Sequence, residues 1–184
     1  MGPLHGIKII EFAALGPAPM GAMILADLGA EVVRIERKLA PGAKPASELF
    51  DPAIDILNRN RRVVTLDLKK PEGLAAARQL IAAADGLIEG YRPGVMDKLG
   101  LGYDVLKEIN PRIIYAAVSG FGCYGPYHLR PGYDILAQAM GGMMSITGSK
   151  GGEPTRAGSA LGDILGGLHV TIGILAAVNA RTIT

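Results

Sequence analysis

The chain has 184 residues and a formal net charge of +2, and 49% of it is hydrophobic against 20% charged. That is enough for one domain with a real core, of ordinary globular composition. The small charge, without a dense Lys/Arg stripe interleaved with aromatics, argues against a nucleic-acid partner, and the single cysteine, Cys123, excludes an internal disulfide framework and fits a reducing, cytoplasmic compartment.

Residues 7–12 form a short apolar run that reads as a strand, ended by the loop Gly16-Pro17-Ala18-Pro19. The chain enters this strand almost at once, without the basic, apolar and cleavage-site order of a signal peptide. Residues 20–28 have helical composition and close at Gly29, a C-terminal stop signal. A β-branched strand follows over 31–35, then an excursion without clear period over 40–57, then a strand over 63–66. Lys70-Pro71-Glu72-Gly73 opens a helix with proline in the first turn, running to about residue 84. Residues 86–89 are a strand, followed by Gly90-Tyr91-Arg92-Pro93-Gly94, a short helix and a second helix over 103–109. Pro111 interrupts, and 113–119 is a strand. A glycine-rich loop over 120–132 leads to a helix over 133–140, a turn over 148–152 and a last helix over 162–181. The apolar run of that helix, 165–178, is too short to span a bilayer and contains His169, so it reads as a buried helix and no membrane partner is expected.

Apolar strands alternating with helices predict an α/β fold: an open, largely parallel sheet with helices on both faces. Ligands in such folds sit at the carboxyl ends of the strands. The loops there cover 13–19, 36–40, 90–94 and 120–132, all rich in Gly, Pro or Arg. The segment 155–177 puts one carboxylate, Asp163, where a small-residue loop meets an apolar helix. Such a carboxylate caps the helix or attacks an activated carbonyl. Gly162, Gly166 and Gly167 beside it either free backbone N–H groups for a developing oxyanion or serve helix packing. The basic stretch 59–70 reads as a solvated face or as a site for a small anion. Cys123 lies in a turn with no evident base. His169, six residues beyond Asp163, reads as a core or interface histidine. There is no metal-ligand spacing. The strand, glycine loop and helix at 7–28 imitate a dinucleotide fingerprint, but Gly16 to Gly21 is not G-x-G-x-x-G, and Pro17 and Pro19 lack N–H donors, so no NAD is expected.

Several segments together resemble the family III CoA-transferases, which include formyl-CoA transferase, carnitine CoA-transferase and α-methylacyl-CoA racemase. They are Leu4-x-Gly-Ile-Lys-Ile-Ile-Glu-Phe12, the stretches 26–37, 57–69 and 89–100, Ile109-Asn-Pro-Arg-Ile-Ile-Tyr115, Ser119-Gly-Phe-Gly-x-x-Gly-Pro126, 132–140 and the Asp163 segment. The resemblance implies a Rossmann-like large domain, a small second domain and two chains interlocked as a homodimer. This chain resembles the first portion of the large domain; the small domain and the returning C-terminal segment are absent from it, and its end at Thr184 looks like a cut.

The resemblance also implies roles. Asp163 matches the catalytic aspartate, which moves CoA from an acyl-CoA to a small carboxylic acid through an aspartyl anhydride and an aspartyl-CoA thioester, without metal. Racemases carry a histidine at the position of Tyr133. A tyrosine, with an ordinary pKa of ~10, is a poor base, so Tyr133 opposes racemisation and fits a site-lining role. Arg37, Tyr91, Arg92 and Lys98 are expected on CoA, Arg92 corresponding better to the racemase-like branch. Arg130 is expected on a CoA phosphate or the acid substrate. Gly16, preceded by Leu15, stands where formyl-CoA transferase has a glutamine against the acyl group, which favours a less polar or larger acyl group. The competing readings are a racemase-like isomerase and a truncated, non-catalytic chain that dimerises.

Overall fold

The computed structural model describes residues 2–39 and 54–183. Its centre is a five-stranded sheet of β1 (Lys8–Phe12), β2 (Glu31–Arg37), β3 (Arg61–Leu66), β4 (Gly86–Glu89) and β5 (Ile114–Ala117), ordered β3-β2-β1-β4-β5. Every pairing is parallel. The helices are α1 (Pro17–Asp27), α2 (Pro71–Ala82), α3 (Val95–Lys98), α4 (Tyr103–Ile109), α5 (Asp134–Met140) and α6 (Leu161–Ala180).

Successive strand residues face opposite sides of a sheet, and here both sides are covered. Ile10, Phe12, Ile35 and Leu87 pack with Ala77 and Ile81 of α2 and Leu106 of α4. Ile9, Val32 and Ile88 pack with Ala18, Ala22 and Leu25 of α1 and Ile174 of α6. The central strands β1 and β4 are therefore buried on both faces, as expected for a parallel sheet, while the edge strand β3 leaves Arg62, Val63 and Thr65 exposed. The chain runs outward from β1 to β3, then returns to place β4 on the other side of β1. Connections leaving β1 and β4 diverge there and open a crevice at the carboxyl ends.

Most boundaries fall within a few residues of the sequence reading. α1 starts three residues earlier than expected, because Pro17 takes the first helical position directly after Gly16. Proline suits that position, having no N–H to lose and a φ already helical. Of the expected excursion over 40–57, residues 40–53 lie outside the described residues, and Ile56–Asn58 forms a 3-10 turn.

In the basic stretch Arg59, Arg62, Lys69 and Lys70 are exposed, as a solvated face would be, but each arginine has an acidic partner: Arg59 pairs with Asp27, Arg62 with Glu31 at 2.9 Å, and Arg61, whose side chain is buried, with Glu11 at 2.7 Å. Glu11 is fully buried and also holds Arg34 of β2 at 2.9 Å. Arg61 reaches the carbonyl oxygen of Pro19 as well. One buried ion cluster thus ties three strands to the first turn of α1.

α6 corrects the expectation of a buried helix. It is long and apolar enough to cross a membrane by length and composition, yet only Gly167, Thr171 and Ile174 are buried. These face α1, where glycines let the backbones approach: a Cβ on Gly167 would lie 2.9 Å from Met20 Cβ, and one on Gly166 2.9 Å from Pro17 Cβ. Leu165, Leu168 and Ile172 stay exposed, as does His169, whose ring nitrogen meets the Leu165 carbonyl at 2.8 Å. His169 is therefore not a core histidine.

Candidate active site

The crevice holds a cavity of about 710 Å³. Its walls come from the loop after β1 (Ala14 to Pro17), the loop after β4 (Gly90 to Pro93), the stretch after β5 (Val118 to Phe121), and the first turns of α5 and α6. A smaller cavity of about 460 Å³ lies between the sheet and α2, at the amino ends of β1 and β2, lined mostly by aliphatic side chains with Lys8 and Glu31 among them. The larger one is the candidate site because it collects chemistry-bearing groups where this topology places ligands.

Asp163 is the third residue of α6, and Ala160, not Asp163, occupies the capping position. Among the described residues none hydrogen-bonds its carboxylate. The plain capping reading therefore does not hold. The carboxyl is half-buried, and burial, followed by the nearby Asp134 charge, pushes its pKa above the usual aspartate value. Directly against the carboxylate lies the backbone of Gly16, at φ +73°. A Cβ there would sit 3.0 Å from Asp163 Oδ2 and 3.1 Å from its Cγ. Gly16 is thus needed twice, for a backbone that side chains avoid and for the space the carboxylate fills.

Asp134 opens α5. Its Oδ1 accepts from the Gly162 N–H at 2.7 Å and its Oδ2 from the Gln138 amide at 2.7 Å. This carboxylate therefore satisfies an orphan donor at the start of α6 from a neighbouring helix. The Gly162 N–H is engaged and does not face an oxyanion, while Gly166 and Gly167 serve helix packing, so the packing reading prevails.

The other expected residues divide in two. Leu15, Gly16, Tyr91, Arg92, Arg130 and Tyr133 line the cavity with Asp163. Tyr133 stands at the start of α5, 62% exposed. The Arg130 guanidinium stacks 4.1 Å from the centre of the Tyr127 ring. Arg92 and Arg130 have no ion pair among the described residues. Arg37, at the exposed end of β2, and Lys98, at the end of α3, are not part of the cavity wall. Among the described residues no group of three or more His, Cys, Asp or Glu could hold a metal.

Asp134 of the cavity wall, and Gln138 and Glu89 behind it, escaped the sequence reading. Glu89 ends β4, only 6% exposed, and its Oε2 accepts the Tyr91 N–H at 2.8 Å. Burial raises its pKa to about 7, against the opposing bonds from the Tyr91 N–H and the Tyr115 hydroxyl. A carboxylate closing a strand just before a Gly-Tyr-Arg-Pro-Gly loop was the available signal. Gln138 gave none, since a glutamine on a short helix is usually solvated.

Residues 4–184 match the family model described as CoA-transferase family III. Formyl-CoA:oxalate CoA-transferase of Streptomyces coelicolor is 41% identical over 185 residues, 97% of this chain and 44% of that protein. Human α-methylacyl-CoA racemase is 42% identical over 182 residues, 98% of this chain and 45% of that protein. A CAIB/BAIF family protein from Brucella suis has a TM-score of 0.88 at 37% identity, covering 98% of this chain and 50% of that one. The chain spans about half or less of the length of these proteins. Identity alone does not separate transferase from racemase, and the site residues have to do so. On the match over 4–184, the chain belongs to CoA-transferase family III.

Proposed function

We propose that this chain carries the nucleophile and part of the CoA site of an acyl-CoA:carboxylate CoA-transferase. The observation that carries this is the Asp163 carboxylate, without a hydrogen-bond partner among the described residues, at the wall of the switch-point cavity. The carboxylate attacks the thioester carbonyl of the donor, forming a mixed anhydride and releasing CoA thiolate. The thiolate attacks the aspartyl carbonyl, giving aspartyl-CoA thioester and the donor's free acid. The acceptor carboxylate then attacks this thioester, forming a second anhydride and releasing the thiolate again. Attack of the thiolate on the acceptor's acyl carbonyl yields the new acyl-CoA and regenerates Asp163. One thioester is consumed and one is made, so no ATP is required.

Tyr91 and Arg92 would contact CoA, and Arg130, on its Tyr127 shelf, the acceptor's carboxylate or a CoA phosphate. Arg37 and Lys98 belong to the same proposal as outer contacts to the nucleotide. Tyr133 and Leu15 would line the acyl position. The proposal further includes a homodimer, supported by the exposed apolar side chains of α6, and a cytoplasmic location, supported by the exposed free thiol of Cys123.

Incubation with acetyl-CoA or succinyl-CoA, a hydroxylamine quench and peptide mass spectrometry test the chemistry. A hydroxamate on Asp163, absent from Asp163→Ala, is expected; its absence from the wild type sinks the reading. A racemase-like reading is also compatible with the 42% identity to the human racemase. Tyr133 opposes it, and deuterium uptake at the α-carbon of a 2-methylacyl-CoA would revive it.

A further inference from the structure

The stretch just before Asp163, residues 155–160, belongs to no helix or strand and is mostly exposed. Its own backbone bonds are few: the Thr155 N–H donates to the Met144 carbonyl at 3.3 Å, and the Ser159 carbonyl accepts from the Leu161 N–H at 2.9 Å. The side chain that reaches it is Gln138, on α5, only 3% exposed. Its Oε1 accepts from the Ala157 N–H at 2.8 Å. Its Nε2 donates to the Ser159 carbonyl at 3.3 Å and to Asp134 Oδ2 at 2.7 Å. The other Asp134 oxygen accepts the Gly162 N–H at 2.7 Å. One buried carboxamide therefore grips the incoming chain at two backbone groups and aims the carboxylate that holds the first turn of α6.

We infer that Gln138 is a positioning residue for Asp163. It touches neither the reacting atoms nor the cavity wall; it acts by fixing the register at which the chain enters α6. This inference rests on the reading of Asp163 as the nucleophile. Four polar groups, in part-buried bonds, depend on this amide or on its partner, so an apolar replacement unties the entry segment from α5. The first turn of α6 then moves with its entry segment. Misplacing a reacting group by about 1 Å costs on the order of 100-fold in rate, with little effect on ground-state binding.

Hydrogen exchange on the wild-type protein comes first. The Ala157 and Gly162 amides should exchange more slowly than those of the exposed loop at 148–152. Equal rates would overturn the clamp whatever a variant does. In Gln138→Met, protection should fall at 157–164 and persist in β1 and β4. The maximal rate of Asp163 adduct formation from acetyl-CoA or succinyl-CoA should fall by about 100-fold, with the half-saturating concentration within about twofold. An unchanged maximal rate, or protection lost across the whole sheet, would overturn the inference. Should the wild type form no Asp163 adduct, the transferase reading fails separately, and exchange still decides whether the clamp exists.

Discussion

Asp163 sits where its ionised form is disfavoured, half-buried and beside the Asp134 carboxylate. The same placement makes it a more basic, and so more nucleophilic, carboxylate than an exposed aspartate once ionised. Because its folded-state pKa is raised, the stability linked to it is present below the ordinary aspartate value and is lost as pH rises through the folded value. Asp163→Asn, which cannot ionise, is therefore expected to melt higher than the wild type at neutral pH while forming no covalent adduct. A lower melting temperature would show that the carboxylate is a structural partner. For the same reason the acid limb of adduct formation should fall above the usual aspartate value, with activity rising as pH rises. In the sequence Asp163 stands out because it lies where a small-residue loop meets an apolar helix, and Tyr133 because the family resemblance puts a histidine there in racemases. The sequence did not disclose that both Asp134 oxygens are engaged by α6 and Gln138, since those contacts join residues up to 28 positions apart.

The loop after β4 depends on an element end. Glu89 is buried beneath Gly90 to Gly94, accepts the Tyr91 N–H, and has a pKa raised to about 7. Folding thus favours its protonated form, and the stability associated with it is present at pH 4 and lost as pH climbs through about 7. Glu89→Gln keeps an acceptor for Tyr91 without the charge. Its melting temperature relative to wild type should therefore rise more at pH 8 than at pH 5; an equal difference at both would remove the charge from the account. α6 poses the opposite problem. Its sequence is apolar all round, so no period marks which face is covered, and burial of the whole helix was the natural but incorrect expectation. Glycines at 166 and 167 choose the face by admitting α1, leaving Ile172 60% exposed on another side. Ile172→Glu should shift the sedimentation profile toward the monomer if this side is an interface in the homodimer; an unchanged profile would place the contact elsewhere.

At the scale of the molecule, the parallel sheet was legible because its strands are short apolar runs punctuated by Gly and Pro, and β4 and α4 fall where that punctuation puts them. The ion cluster that ties β1, β2 and β3 together was not legible. Arg59, Arg61 and Arg62 look alike in sequence, and only the tertiary fold buries Arg61 while leaving Arg62 at the rim. Their energetics should differ accordingly. The Arg61 side chain is 0% exposed and lies 2.7 Å from Glu11, whose side chain is also 0% exposed. Removing one partner of such a pair costs about 3–5 kcal/mol, because the other charge stays buried. Arg34 still holds one Glu11 oxygen at 2.9 Å, so Arg61→Met should sit near the lower end of that range. For a domain of this size that is a fall of roughly 6–12 °C in melting temperature. The Arg62 side chain is 79% exposed in its pair with Glu31, and pairs of that kind contribute under about 1 kcal/mol. Arg62→Met should therefore barely move the transition. Because Arg61 also reaches the Pro19 carbonyl, its loss should loosen the first turn of α1, and with it the Gly16 backbone against Asp163. Thermal melts of the two variants, with hydrogen exchange over residues 13–22, separate the cases. Equal destabilisation by both, or an Arg61→Met protein with wild-type exchange there, would mean that the cluster does not hold the site together.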